Sequence, residues 1–195
     1  MRQKNLFIAS ASLVIAAAML PLAYALQTSA TGEAAMSSTA RDGSADFDFL
    51  YGRRWHVHNR RLQQRMAGST NWIEFDANDE FKPLPGGIGS EEHYRTDFWK
   101  DYVGIGLHMY DRQAAVWSLY WVDNHGAPGV LQPPVRGRFS NGTGIFEGSD
   151  VFNGKPVTVR FIWKTIDTNH ASWEQAFSAD GGTSWETNWS MDFTR

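Results

Sequence analysis

The chain contains no cysteine. A disulfide framework, thiolate chemistry and lipid attachment through a processed N-terminal cysteine are therefore excluded. Positive charge is not in excess either: 18 Lys and Arg stand against 21 Asp and Glu, a formal charge of −3. Nucleic acids and anionic membrane surfaces are bound through a basic footprint, so neither is expected as a partner. No Gly-x-Ser-x-Gly elbow is present, and no Gly-rich phosphate loop precedes a helix. After residue 47 no segment carries a helical stripe of apolar residues.

What is present begins with a secretory signal. Arg2 and Lys4 give a positive start, Leu6 to Ala25 is an uncharged apolar run interrupted by Pro21, and Ala23-Tyr24-Ala25 fits the small-x-small cleavage rule. A membrane anchor is the rival reading, since about 20 apolar residues can span a bilayer. Pro21, the alanine-rich run and the cleavage site favour removal of residues 1–25, with no stable membrane span after processing and a periplasmic or secreted location. The remaining chain carries 16 basic and 21 acidic residues, a formal −5. Residues 26–45 are Ala, Ser, Thr and Gly with little bulk, which reads as a flexible linker. Residues 46–195 suffice for one domain with a sizeable core.

Within that domain the dominant period is two. Val157, Val159, Phe161 and Trp163 alternate with polar residues, as do Trp173 and Phe177, and then Trp185, Trp189, Met191 and Phe193. Each segment reads as a strand with one dry and one wet face. Earlier candidates are 54–65, 70–81, 91–99, 102–111, 114–123, 135–140 and 144–151. Turn signals separate them, among them Asn141-Gly142 and Asn153-Gly154. About ten short strands joined by sequential hairpins predict an all-β, antiparallel up-and-down barrel, because closure removes exposed sheet edges. Such a barrel is filled by side chains or holds one small ligand.

Phe47-Asp48-Phe49-Leu50-Tyr51-Gly52-Arg53-Arg54-Trp55 resembles the opening of calycin-type barrels, which begin with a short turn and a Gly-x-Trp, here spaced Gly-x-x-Trp. Adding Arg60-Arg61-Leu62, Phe161-Ile162-Trp163, Trp173-Glu174-Gln175-Ala176-Phe177 and Asn188-Trp189-Ser190-Met191-Asp192-Phe193, nearly all of 46–195 resembles the bacterial proteins of domain-of-unknown-function family 1579. The resemblance implies a lipocalin-like fold in which Trp55 plugs the barrel base, covered by a basic residue. It implies fold much more than activity. Separately, Ser178 to Trp185 resembles the Asp-box of sialidase-like propellers. A propeller needs several copies at blade spacing; one is present, so Asp180-Gly181-Gly182 is read as a tight β turn.

Candidate chemistry is sparse. His56 and His58 share a strand face and can hold a metal ion if a third ligand arrives, but Trp55 and Val57 take the dry face and leave them to solvent. A haem barrel of the nitrobindin type needs one inward axial His. His93 alternates with Glu91 and Arg95, and His108 lies opposite the apolar set Val103, Ile105, Leu107 and Met109, so both are expected to point outward. Glu91-Glu92 can offer acid–base chemistry, but strand neighbours face opposite ways. Gly104 and Gly106 mark a close backbone approach or a bend. No catalytic residue, metal or cofactor is expected.

Arg61 shares a face with Trp55, Val57 and Asn59 and is expected to point inward, toward a ligand carboxylate, an acidic neighbour or an aromatic ring. With Trp121, Trp163, Trp173, Gln175, Thr187 and Trp189 it forms the expected ligand-binding set, apolar with a few polar positions. The leading reading is an exported, non-enzymatic binder of a small, largely apolar molecule. An envelope isomerase or hydrolase using the same cavity, and a Trp-mediated carbohydrate-binding module, remain alternatives. The exported protein should begin at Leu26 on N-terminal sequencing; a membrane fraction that retains Met1 would refute the signal reading.

Overall fold

The structure is a computed structural model and describes residues 42–126 and 130–195. The signal segment and residues 26–41 of the linker lie outside the described residues. Ten strands follow in chain order: β1 Arg54–Leu62, β2 Trp72–Pro83, β3 Gly89–Thr96, β4 Tyr102–Asp111, β5 Val116–Asp123, β6 Val135–Ser140, β7 Thr143–Phe152, β8 Lys155–Thr165, β9 His170–Ser178 and β10 Glu186–Thr194. Each pairs antiparallel with its neighbours in sequence, and β10 pairs with β1 to close the barrel. The up-and-down barrel read from the period-two pattern is what the chain forms. Among the described residues no helix is long and apolar enough to cross a membrane.

The hairpins form where the turn chemistry demands them. Asn141 and Gly142 both have positive φ, 50° and 76°, as do Asn153 and Gly154, 50° and 75°. Two consecutive left-handed residues make the turn whose twist matches the flanking strands, and Asn-Gly tolerates it at least cost. The Asp-box-like segment is likewise a turn. Asp180 Oδ1 accepts from the Thr183 and Ser184 amides at 3.0 and 2.9 Å, and the Ser178 hydroxyl adds a third bond at 2.7 Å. The Ser184 hydroxyl, which donates to Asp180 Oδ2 at 2.6 Å, and then these donors hold the Asp180 carboxyl well below the usual range.

The barrel base is filled. A single 3₁₀ turn, Asp48–Leu50, precedes β1 and drives Phe47 and Leu50 into the interior, both fully buried. The Phe47 ring meets Trp117 and Phe139 edge-on at 4.9 Å, and Trp163 at 6.0 Å. Trp55 is fully buried beside them, and its indole N–H donates to the Leu50 carbonyl at 2.9 Å. The guanidinium of Arg195 lies 4.2 Å over the Trp55 ring while donating to the carbonyls of Thr168 and Tyr51. The chain therefore ties its last residue to its first strand by stacking and hydrogen bonds together. Residues 42–45 also engage the barrel, since Trp117 donates to the Gly43 carbonyl at 3.2 Å and Arg112 pairs with Asp42.

Removing a buried Trp typically costs about 3–5 kcal/mol, a large share of one domain's stability. Denaturant melts of Trp55→Ala should show a loss of that order. A change below about 1 kcal/mol would mean that the base tolerates an empty plug.

Candidate functional site

Above the plug the interior is not filled. A cavity of about 710 Å³ runs up the barrel, within the range of small-molecule sites. Its wall carries Trp121, Trp163, Trp173, Gln175, Trp189 and Arg61, so six of the seven residues expected from the sequence stand together on it. Strand alternation puts them there. Trp163 and Trp173 are direct partners across β8 and β9, and Gln175 faces Trp189 across β9 and β10. Trp173 meets Trp189 edge-on at 5.9 Å, a favoured aromatic geometry.

Thr187 is the exception and corrects the expected set. A bulge between Thr187 and Trp189 adds one residue to β10 relative to β9. The extra residue, Asn188, is fully buried and accepts a 2.8 Å hydrogen bond from Gln175, while Thr187 is exposed. A bulge resets the parity of a strand, which a simple count of alternation does not anticipate.

The mouth carries two cations. Arg61 is half-buried with its guanidinium 5.5 Å from the Trp99 ring centre and 5.4 Å from that of Trp189. Among the described residues its buried Nε has no hydrogen-bond partner and no carboxylate forms an ion pair with it. Of the destinations expected for an inward Arg61, the described residues supply the aromatic one and no acidic neighbour. Arg65 lies on the same cavity wall, 4.6 Å from the Phe152 ring centre. Burial, and then the nearby Arg61 charge, lower its pKa to about 10. Both groups remain cationic at neutral pH. Deeper in, the fully buried Asn59 Oδ1 accepts from the Tyr94 hydroxyl and the Trp189 indole, each at 3.0 Å. That pair of bonds fixes one cavity-facing indole and answers its need for a partner.

The floor overturns two expectations. His108 does not point outward: it is 3% exposed, lines the cavity and lies 3.2 Å from Glu92 Oε2. Glu92 is 7% exposed on the same wall, while its neighbour Glu91 faces out beside His93. The phase of β4 is the reverse of the apolar reading. Tyr102, Gly104, Gly106 and His108 face in, and Val103, Ile105, Leu107 and Met109 sit half-buried on the outer face. The glycines explain the inversion. A Cβ on Gly104 would stand 2.1 Å from the Trp121 ring, and one on Gly106 2.3 Å from Glu92 Oε2. Two large side chains from neighbouring strands occupy the space that β4 vacates. Asp79, 1% exposed, completes the group; burial and then the Glu92 carboxylate raise its pKa well above the usual range. The sequence offers Glu92 only as half of the Glu91-Glu92 pair and does not mark Asp79. The available signal was the shared parity of Gly104, Gly106 and His108.

His56 and His58 lie on the outer face as expected, with His58 Nδ1 3.0 Å from Asp76. Neither a protein-family model nor a curated protein matches the chain.

The raised pKa of Asp79 has a definite sign. The folded protein holds this proton more tightly than the unfolded chain, so the associated stability is complete below about pH 4 and is lost as pH rises through the raised value. Asp79→Asn removes the ionisation while keeping the volume. Its stability relative to wild type should therefore increase from pH about 4 to pH about 8 in urea melts. A difference that does not change with pH would show that Asp79 ionises normally.

Proposed function

We propose that this is an exported, non-enzymatic protein that binds a small, largely apolar molecule with an anionic head inside its barrel. One observation carries the reading: Arg61, whose buried Nε has no hydrogen-bond partner among the described residues, lies near two tryptophans on the wall of a cavity lined with indoles. A buried charge ordinarily has a partner, and Arg61 lines the cavity where a ligand carboxylate can reach it. Arg65 adds a second cation at the same mouth. Trp121, Trp163, Trp173 and Trp189 offer the apolar wall, with Gln175 among them. The apolar run and cleavage motif of the first 25 residues support export. The quoted opening and closing motifs support placing the chain with the lipocalin-like proteins of family 1579.

Titration of intrinsic tryptophan fluorescence with fatty acids, retinoids and their alcohols tests the proposal. Acids should quench indole emission with affinity well below millimolar. Arg61→Met should weaken acids by roughly 1.5–3 kcal/mol, the usual worth of a hydrogen bond to a charged group, and barely affect the alcohols. If nothing in the panel binds more tightly than about millimolar, near −4 kcal/mol, the binding function fails.

A further inference from the structure

A cavity shaped only for an apolar body would end on apolar side chains, yet this one ends on Glu92 and His108. Both line the cavity, with 9% and 4% of their side-chain surface exposed. They lie 3.2 Å apart, and the His108 ring meets Phe47 at 4.6 Å with the planes tilted by 35°. The opposing strand gives up a side chain at Gly106 to accommodate the Glu92 carboxylate. Behind them Asp79 is buried against the Glu92 carboxyl. Well-packed apolar residues of similar volume often replace a buried ionic group with no loss of stability. Filling the floor is therefore a poor reason for this set of side chains.

The floor is far from the arginines. Arg61 is level with Ile73 on β2, whereas Glu92 is level with Phe81, eight residues further along the same strand. At about 3.3 Å per residue this is roughly 26 Å of strand, shortened along the barrel axis by strand tilt. The apolar wall lies between two polar ends.

We propose that Glu92, held by His108, forms a second, polar subsite that takes a hydroxyl group at the far end of the ligand. The ligand is then two-ended: an acid beside Arg61, an apolar body along Trp121, Trp163 and Trp173, and a neutral polar group at the floor. Glu92 accepts a hydroxyl proton in a hydrogen bond, and His108, whose ring nitrogens lie 3.2 Å from Glu92 and 3.4 Å from Ser90, holds that carboxylate in place. This inference rests on the anionic-head reading above.

The test compares straight-chain fatty acids with their ω-hydroxy counterparts, from about eight to about sixteen carbons to bracket the strand length above. Affinities are read by tryptophan quenching and calorimetry on the mature wild-type protein. At one chain length the ω-hydroxy acid should bind about tenfold more tightly than the plain acid, the worth of a hydrogen bond to a charged partner. In Glu92→Met/His108→Leu that preference should reverse, because an apolar floor strands the hydroxyl. Plain-acid binding by the variant reports that it is folded, and the wild-type comparison stands without any variant. Acids that bind in an Arg61-dependent way, with the ω-hydroxy form weaker at every length, would overturn the polar subsite alone. Failure of both series to bind would overturn the anionic-head reading and this inference with it.

Discussion

The pairing of β1 with β10 runs from His56–Thr194 to Arg61–Trp189, and it gives the sheet an inside and an outside. An open ten-stranded sheet would present two rows of unsatisfied backbone groups, and its faces would be covered only by other elements. Closure removes both problems and creates a third. Ten strands enclose more space than their own inward side chains fill. The ends of the fold meet this at the base. The 3₁₀ turn before β1 inserts Phe47 and Leu50, and Arg195 after β10 clamps Trp55 from the other side. The contacts that seal the barrel are thus made by the two segments that closure brings together.

Above the seal the chain departs from a packed core. Side chains on the upper wall are large, but two of its indoles are anchored at their edges. Trp189 is tied to Asn59, and Trp121 donates to Asp123 at 3.3 Å. An anchored indole lies along the wall and cannot swing in to fill the axis. Gly104 and Gly106 extend the effect by letting Trp121 and Glu92 lie across β4. The void follows from these anchors and glycines, and its outline is as much a product of the sequence as the plug below it.

Most of the architecture was legible because the period of two and the Asn-Gly turns are local signals that closure reinforces. The indoles Trp163, Trp173 and Trp189 were legible as inward residues for the same reason. What was not legible is the phase of β4 and the end of β10. Phase is ordinarily read by placing the apolar set inside, and that rule presumes a dry, filled interior. Here the inner face of β4 holds glycines and His108, so Val103, Ile105, Leu107 and Met109 are left outside. At β10 one bulged residue exchanged Thr187 for Asn188, and nothing in the local pattern marks it. Asp79 and Glu92 lie far apart in sequence from His108, and only the register of β2, β3 and β4 unites them.

The distribution of ion pairs separates the interior from the surface. On the outside, Arg60 meets Glu74 at 3.2 Å, Arg160 meets Glu147 at 2.6 Å, and Arg112 meets Asp42. Such exposed pairs contribute little to stability, so the chain spends carboxylates where pairing matters least. Arg61 and Arg65, whose charges are partly withdrawn from water, face aromatic rings instead. Stacking offsets part of the desolvation without neutralising the charge. Meanwhile the buried acids, Asp79 and Glu92, are gathered at the opposite end, eight residues of strand away. Placing either acid beside Arg61 would have produced a paired, filled core. Their separation leaves cations and an acid–imidazole pair at different levels of one cavity, whose wall is largely indole with Gln175, Asp123 and Asp150 among its residues. That polarity is sustained by the fold itself, and it is what a ligand in this cavity would meet.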